Sequence, residues 1–423
     1  DNRRARCYSL LPMTLITETR DLVAACERLK RASYLTVDTE FVRDSTYWPI
    51  LCLIQVAGDD FHCAIDPLAK GIDLEPFYDL MRDPSLLKVF HSARQDIEIF
   101  VLKMGEVPKP LFDTQVAAMV CGFGESAGYE TLVTRFAGAR LDKAVRFTDW
   151  TKRPLSPRQL DYALSDVTHL RTVYDKLRAM LEKNNRESWL EEEMAVLTDV
   201  ETYRLNPEDA WKRLKPRSRN PRFLAAVRSL AIWREKEAQR RDLPRNRVMR
   251  DEVLLEVAAH MPQDAESLGN LRGVPKGYAK GPEAKGILAA IHEAASLPED
   301  QLPPIPAQDD QRGQNAGPAA DILKLLLKVK CLEAGVAPKL VASSQDVEDI
   351  AIHGADADVP ALHGWRFELF GRDALALRDG RLGVALKGNR LKLFDIDEDG
   401  QAVMRSRPRR GGRRPAPEPQ DAE

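Results

Sequence analysis

Two acidic residues, one position apart, stand in an alternating apolar segment near the start of the chain. The segment Tyr34–Phe41 is rich in β-forming residues and predicts a strand whose side chains alternate between two faces. Asp38 and Glu40 then project from the same face. Two adjacent carboxylates repel each other and resist burial unless a cation offsets their charge. The pair therefore predicts a metal site, although an Asp-x-Glu alone also arises often by chance.

A third acid, Asp96, follows the short apolar segment Leu87–Phe90, which predicts a strand that leads into a helix. Ser92 and Gln95 have the spacing of a capping box and predict where this helix begins. Asp96 would lie in its first turn, where an acid is also favourable simply because the helix terminus is positive. His91 could be a ligand, but a hydrogen-bonded, partly buried histidine is the better explanation.

A fourth acid, Asp166, lies in a segment in which Ser156 and Pro157 mark an N-cap and a first helical position. Tyr162 precedes Asp166 by four residues, so a helix brings the phenol and the carboxylate to one region of space. Their common face differs from the apolar stripe of the same helix. Taken alone, this pair is equally well explained as a surface hydrogen bond.

Four carboxylates and one phenol suit divalent cations that prefer oxygen ligands, such as Mg²⁺ or Mn²⁺. Two such cations about 4 Å apart could flank a scissile phosphate, one activating water and the other stabilising the leaving oxygen. Tyr162 could orient or deprotonate that water. The predicted metal ligands are Asp38, Glu40, Asp96 and Asp166, and the predicted catalytic residues are these four together with Tyr162.

The elements that must position these side chains are readable from the pattern of apolar residues. Leu51–Val56 and Phe61–Ile65 predict two further strands, and a helix is expected around Leu74–Met81. The order is then β-β-β-α-β-α. This order predicts an α/β domain with a mixed sheet and flanking helices.

The composition of the 423 residues, 43% hydrophobic and 30% charged, is typical of a soluble globular protein with two or three domains. No apolar run approaches the roughly 18 residues of a membrane span, and no secretory pattern is seen, so we expect a cytoplasmic protein. The six cysteines lack CxxC spacing and predict reduced core thiols. A metal would therefore be held by oxygen.

The formal net charge of -2 hides one strongly basic region. Between Trp211 and Arg250 there are 14 lysines and arginines against 3 acids. Such a one-signed excess is a candidate phosphate-binding surface. A solvated helix face explains it about equally well.

Taken together, the motifs resemble the ribonuclease D family, DEDD exonucleases of the tyrosine subtype. The matching segments are Val37-Asp38-Thr39-Glu40-Phe41, Leu53-Ile54-Gln55, Ile65-Asp66-Pro67-Leu68, His91-Ser92-Ala93-Arg94-Gln95-Asp96, Phe112-Asp113-Thr114-Gln115 and Tyr162-Ala163-Leu164-Ser165-Asp166. The resemblance implies a ribonuclease H-like fold, the four acids as metal ligands, and Tyr162 as the water-positioning residue. It also implies that Asp113 is a helix cap, and that the substrate is RNA with a free 3′ end, such as a tRNA precursor.

The second half of the chain resembles HRDC domains, the small helical modules of helicases and ribonuclease D. Leu230-Ala231-Ile232-Trp233-Arg234-Glu235, Asp242 to Asp251 and Gly286-Ile287-Leu288 carry the likeness. The expected organisation is a non-native or disordered extension (1–12), the exonuclease domain (13–210), an HRDC domain (219–297), a linker (298–317), a divergent second HRDC-like domain (318–396) and a disordered arginine-rich tail (397–423). Within 318–396, Trp365-Arg366 and the stretch from Gly380 to Leu393 look partly β-like.

Two other functions remain open from the sequence. The same residues could serve a 3′–5′ DNA exonuclease, because the choice of sugar depends on loop contacts to the 2′ hydroxyl. A catalytically inactive RNA-binding scaffold on the same fold is the second. The presence of all five predicted site residues counts against the scaffold.

Overall fold

The computed structural model describes residues 15–142, 144–216, 218, 220–275, 277–303, 309–388, 390–397 and 399–404. The predicted extension 1–12 and most of the predicted arginine-rich tail lie outside these residues. The chain divides into two compact units, one formed by residues up to 121 with 126–307, the other by 122–125 with residues from 308 onward. Within the described residues, no helix is long and apolar enough to cross a membrane.

A six-stranded mixed sheet is the centre of the first unit, in the order β1-β4-β3-β2-β5-β6. Strands β2, β3 and β4 are antiparallel neighbours, whereas β1 pairs with β4, β5 with β2 and β6 with β5 in parallel. The predicted mixed sheet is therefore confirmed. The strands are β1 (Leu15–Ile16), β2 (Leu35–Val42), β3 (Ile50–Ala57), β4 (His62–Ile65), β5 (Lys88–Phe90) and β6 (Leu111–Asp113). The sequence did not predict β1 or β6, because two or three residues are too few to show alternation.

Seven helices accompany this sheet, and the longest of them packs directly on it. They are α1 (Thr19–Leu29), α2 (Glu75–Arg82), α3 (Arg94–Met104), α4 (Thr114–Val120), α5 (Tyr129–Ala137), α6 (Pro157–Asn184) and α7 (Glu187–Thr198). The predicted start of α6 is confirmed, since Ser156 is the N-cap, Pro157 is the first helical residue, and Ser156 and Gln159 form a capping box. The Thr36 hydroxyl on β2 donates to the Val167 carbonyl oxygen at 2.8 Å, which fixes α6 against the central strand.

Asp113 is a helix cap, as the resemblance implied, and it serves two helices at once. Its carboxylate accepts the Gln115 N–H at 2.7 Å at the start of α4. It also accepts the Ser92 and Ala93 N–H groups at 3.0 and 2.8 Å, just before α3. The capping box predicted from Ser92 and Gln95 is wrong, because Ser92 has a positive φ of 61° and α3 begins without a side-chain cap of its own.

Residues 207–303 form a helical bundle with a separate core, and the 3-10 helix that precedes it, Val200–Tyr203, contacts α3 and α7. The α-helices are α8 (Pro221–Arg241), α9 (Arg245–Val248), α10 (Asp251–His260), α11 (Ala265–Gly269) and α12 (Pro282–Ser296). Short 3-10 helices cover Val200–Tyr203, Pro207–Arg213, Tyr278–Lys280 and Glu299–Gln301. The buried apolar residues of this part, such as Leu230, Leu254 and Ile287, pack with one another. The helical character predicted from the sequence is confirmed.

The loop between β2 and β3 contacts the first helix of this bundle. Asp242, the C-cap residue of α8, accepts the N–H groups of Tyr47 and Trp48 at 3.0 and 2.9 Å. The Tyr47 hydroxyl donates to Glu235, which also pairs with Arg245 at 2.5 Å. Glu235 is 2% exposed and Tyr47 4%, so this network is buried. It joins the strand that carries Asp38 and Glu40 to the helical bundle.

The second unit is helical and ends in a small antiparallel sheet. Its helices are α13 (Asp309–Ala334), kinked at Gly317, α14 (Pro338–Val341), α15 (Ser344–His353), α16 (Gly364–Arg366) and α17 (Arg372–Arg378), with 3-10 turns at Gly354–Asp356 and Pro360–Leu362 and a π-helical turn at Phe367–Gly371. The strands are β7 (Leu382–Lys387), β8 (Arg390–Ile396) and β9 (Ala402–Met404).

Three details of this unit differ from the sequence expectations or refine them. The β-like character of the stretch from Gly380 to Leu393 is confirmed by β7 and β8, whereas Trp365-Arg366 is helical and that prediction is wrong. Helix α13 begins inside the predicted linker. Strand β9 lies inside the predicted tail, because pairing with β8 orders a segment that is too polar to fold by itself.

The double cap at Asp113 generates a stability prediction. Asp113→Ala removes the acceptor of several buried N–H groups, and we expect a loss of about 3 kcal/mol of unfolding free energy. Asp199→Ala is the matched control, because Asp199 is an exposed N-cap that accepts the Glu201 N–H at 3.0 Å. Its loss should be about 1 kcal/mol. Urea denaturation of both variants measures the difference, and equal losses would contradict the double role.

Candidate active site

Three of the predicted acids come together on the face of the sheet that α6 covers. Asp38, Glu40 and Asp166 each offer a carboxylate oxygen, and these oxygens lie within 4.8 Å of one another. Asp38 and Glu40 share one face of β2 because strand side chains alternate. Asp166 lies on α6, one residue before the Val167 carbonyl that is bonded to β2. The contact between helix and strand is therefore what brings the third carboxylate to the first two.

Asp96 is held beside this trio rather than within it. It lies in the first turn of α3, 7% exposed, and its carboxylate accepts the hydroxyl of Thr39, the residue between Asp38 and Glu40. Its charge contributes to raising the pKa of Glu40, so the two groups interact electrostatically. All four predicted acids therefore lie at β2. Asp38, Glu40 and Asp166 form the 4.8 Å cluster, and Asp96 lies outside it, bonded to Thr39.

Tyr162 lies one helical turn before Asp166, as the sequence predicted. Burial raises the pKa of Asp166, and the nearby Tyr162 hydroxyl acts in the opposite direction. Tyr129 on α5 supports the same turn, because its hydroxyl donates to the backbone oxygens of Ser165 and Asp166. The Tyr162 ring lies 6.2 Å from that of Trp150. Tyr162 is therefore part of the helix that carries Asp166, and Tyr129 packs against that helix. The sequence pattern did not reveal the role of Tyr129.

Burial and mutual repulsion make these acids hard to ionise in the metal-free protein. Burial is the main cause that raises the pKa of Glu40 to about 9, and the charges of Asp38 and Asp166 add to it. Burial also raises the pKa of Asp166 to about 7. Burial and then the Asp166 charge raise the pKa of Asp38 well above its usual value. Burial, with the Asp166 and Glu40 charges, raises the pKa of Tyr162, so the phenol keeps its proton.

The donor set fits divalent cations. Buried, clustered carboxylates that no basic side chain neutralises stay ionised only when a cation binds among them. One oxygen of Asp166 is buried and has no hydrogen-bond partner among the described residues, so it is free to coordinate. Hard oxygen ligands of this kind are what Mg²⁺ and Mn²⁺ prefer.

His91 is not part of the cluster, in agreement with the simpler explanation of its sequence position. Its Nδ1 lies 3.0 Å from the Thr114 hydroxyl, and its ring is 5.3 Å from that of Tyr129. Burial lowers the pKa of His91, so the ring is neutral near pH 7. It packs between α4 and α5 as a hydrogen-bonded histidine.

The basic stretch between Trp211 and Arg250 is partly neutralised within the structure. Seven of its side chains pair with acids: Lys212, Arg213, Arg234, Lys236, Arg240, Arg241 and Arg245. Arg234 and Arg245 are structural, since Arg234 is 4% exposed and Arg245 joins the buried network around Glu235. Several of the acidic partners, such as Asp209 and Glu283, lie outside the stretch, so the count of acids within Trp211 to Arg250 did not include them.

The exonuclease and HRDC parts of the chain match known protein families. Residues 13–182 match the family described as 3'-5' exonuclease, and residues 223–291 match the HRDC domain. The ribonuclease D of Granulibacter bethesdensis is 51% identical over 381 residues, which cover 90% of this chain and 96% of that protein. The ribonuclease D of Jannaschia sp. is 50% identical over 386 residues, with coverage of 90% and 99%.

Solved structures agree with these relatives. The crystal structure of Escherichia coli RNase D, an exoribonuclease involved in structured RNA processing, superposes with a TM-score of 0.73 at 31% identity, over 87% of this chain and 99% of that one. The catalytic core of RRP6 from Trypanosoma brucei has a TM-score of 0.52 at 22% identity, over 69% and 82% of the two chains. That second likeness concerns the fold alone.

The raised pKa values predict how metal and pH act together on stability. Because the folded-state pKa of Asp166 (about 7) and of Glu40 (about 9) exceed the unfolded values of about 4, the metal-free protein should lose stability as pH rises from 5 to 9. Cation binding needs the ionised forms, so stabilisation by Mg²⁺ should grow over the same range. Thermal melting with Mg²⁺ or EDTA at each pH measures both effects.

The control for this experiment is Glu40→Gln, which removes one of the titrating groups from the cluster. Its melting temperature should fall less steeply with pH in EDTA and respond less to Mg²⁺. A wild-type Mg²⁺ effect of equal size at pH 5 and pH 9 would show that protons and cations do not compete at this cluster.

Proposed function

The chain belongs to the ribonuclease D family and is a metal-dependent 3′–5′ exoribonuclease, and from this premise we propose that two divalent cations, Mg²⁺ or Mn²⁺, are held by Asp38, Glu40, Asp96 and Asp166. The observation that carries the proposal is that three of these carboxylates lie within 4.8 Å of one another. The fourth, Asp96, accepts a hydrogen bond from Thr39, the residue between Asp38 and Glu40. Their raised pKa values support it, since acids crowded in this way are ionised most readily around a cation.

The chain's own groups would share the work of hydrolysis as follows. Bound cations supply the activation of water and the stabilisation of the leaving 3′ oxygen. Asp38 clusters with both Glu40 and Asp166 and is our candidate for the carboxylate that would be shared by both cations. Tyr162, one helical turn from Asp166, would orient the attacking water or accept its proton.

The substrate is RNA, and tRNA precursors with 3′ extensions are the substrate that we propose within that class. Support comes from the family and from the E. coli relative, which is involved in structured RNA processing. With such a substrate the enzyme would act in the cytoplasm. We place the exonuclease chemistry in residues 13–210 and propose that the helical modules supply part of the RNA affinity. The second module includes α13 from Asp309, inside the predicted linker, and β9, inside the predicted tail. The DNA exonuclease and the inactive scaffold are not favoured by the relatives.

The first experiment offers 3′-extended RNA and DNA of the same sequence, labelled at the 5′ end, with Mg²⁺, Mn²⁺ or EDTA. We expect a ladder that shortens the RNA from its 3′ end only when a divalent cation is present. Asp38→Asn keeps the shape of the side chain but removes its charge, and it should slow cleavage by well over tenfold because a shared carboxylate is lost. Undiminished activity in EDTA would overturn the metal assignment.

Tyr162→Phe tests the water-positioning role, because it removes one hydroxyl and keeps the ring beside Trp150. If the hydroxyl orients water, single-turnover cleavage at saturating Mg²⁺ should slow by roughly 10²-fold. If it only bonds Asp166, the variant should lose about 1 kcal/mol of stability and cleave at the normal rate. A lowered melting temperature with an unchanged rate would remove Tyr162 from the mechanism. Trp150→Phe is a control for general disturbance of this packing.

A further inference from the structure

The segment between α5 and α6 is anchored beside Tyr162 and presents an arginine next to the candidate active site. Val145 and Trp150 are each 3% exposed and belong to the core cluster that includes Ala163 of α6. The Trp150 ring lies 6.2 Å from the Tyr162 ring. The two residues that follow Val145, Arg146 and Phe147, are exposed. Both ends of this short turn are therefore fixed in the core, while its tip faces outward.

Hydrogen bonds hold the backbone of the turn as well. The Thr148 hydroxyl donates to the Val145 carbonyl oxygen at 2.8 Å, which spans the tip. Gln159 in the first turn of α6 donates to the same hydroxyl at 3.2 Å. Asp149 accepts the Thr151 N–H at 3.0 Å. A turn restrained in this way keeps the Cα position of Arg146 fixed relative to α6.

Other arginines around the site are already engaged by acids. Arg153 donates twice to Asp66 at 2.6 Å, and Arg158 pairs with Asp142 at 2.6 Å. Arg43, just after β2, pairs with Glu98 at 2.6 Å. These guanidinium groups serve the fold and have few donors left for a ligand.

Arg146 differs from these arginines. Across the part of the chain that the structure describes, its guanidinium forms no ion pair and no hydrogen bond. Its central carbon lies 5.7 Å from the ring centroid of Phe147, which is 87% exposed. The flanking ring gives the guanidinium a weak cation–π contact while leaving its N–H donors open.

The charge of Arg146 nevertheless reaches the acidic cluster. Burial and then the Asp38 charge raise the pKa of Glu40, and Arg146 acts in the opposite direction. Burial raises the pKa of Asp166 as well, and the Arg146 charge again acts to lower it. Because the turn is anchored in the core cluster that contains Ala163 and lies beside Tyr162, the guanidinium of Arg146 is positioned for an anion that binds at the acidic cluster. In an exonuclease, that anion is a phosphate.

We propose that Arg146 binds the scissile phosphate of the RNA, which after hydrolysis is the 5′-phosphate of the released mononucleotide. The inference rests on the proposed function of the same site. A planar guanidinium can donate two parallel N–H bonds to phosphate oxygens, which a lysine cannot do. Its charge also offsets the repulsion between an incoming phosphate and the surrounding carboxylates. Arg146 is thus a substrate-binding residue in addition to the five predicted from the motifs.

The test measures binding of the product, because AMP carries the same phosphate and cannot be cleaved. Calorimetry in Mg²⁺ compares AMP with adenosine for the wild type, Arg146→Gln and Arg146→Lys. We expect Arg146→Gln to weaken AMP binding about tenfold or more and to leave adenosine binding unchanged. Arg146→Lys should fall between, since it keeps the charge but not the paired donors. Arg20→Gln is the control for charge, because Arg20 is exposed on α1 and, among the residues that the structure describes, pairs only with its neighbour Asp21 at 3.3 Å.

A titration with Mg²⁺ alone separates phosphate binding from an effect on the carboxylates. Removing a positive charge near a cation site should leave Mg²⁺ binding unchanged or strengthen it. If Arg146→Gln weakened Mg²⁺ and AMP binding alike, or bound AMP as tightly as the wild type, the inference would be wrong. A wild type that neither binds AMP nor degrades RNA would instead overturn the proposed function, and the inference with it.

Discussion

Mutual repulsion among buried carboxylates is the constraint on which the structure of this enzyme depends. Asp38, Glu40 and Asp166 are held with carboxylate oxygens within 4.8 Å of one another. Burial raises the pKa of all three, and the charges of neighbouring carboxylates add to the rise for Asp38 and Glu40. Packing elsewhere must supply the free energy that keeps them there. A cation bound at the proposed site would offset this repulsion, so part of the repulsion would be recovered as binding free energy.

The remainder of the first unit supplies that packing through contacts that do not involve the acids themselves. The Thr36 hydroxyl ties α6 to β2, so Asp166 is placed by a backbone contact one residue away. Asp113 caps α4 and the turn before α3, which fixes the helix that carries Asp96. Each acid is thus positioned by a neutral or separately satisfied group, and titration or metal loss at the site need not unfold its scaffold.

The sequence was sufficient for what local patterns determine and insufficient for what contacts between distant segments determine. Alternation in β2 and the four-residue spacing of Tyr162 and Asp166 predicted which side chains share a face, because both patterns follow directly from backbone geometry. The start of α3 was predicted from Ser92, yet the acceptor is Asp113, about twenty residues later. Arg146 was missed because a turn with no regular period gives no sign of which core it is anchored to.

The contact between the β2–β3 loop and α8 limits how far chemistry and affinity can be divided between domains. Glu235 and Arg245 belong to the HRDC-like motifs, and the charge count had placed Arg245 among the phosphate-binding candidates. Both nevertheless bond Tyr47, with Glu235 buried and Arg245 half-buried. The Asp242 carboxylate accepts two backbone N–H groups of the loop that follows β2. A chain that ends near residue 210 would leave these groups without partners only a few residues from Glu40. The first helical module is therefore part of the scaffold of the active site as well as a candidate RNA-binding surface.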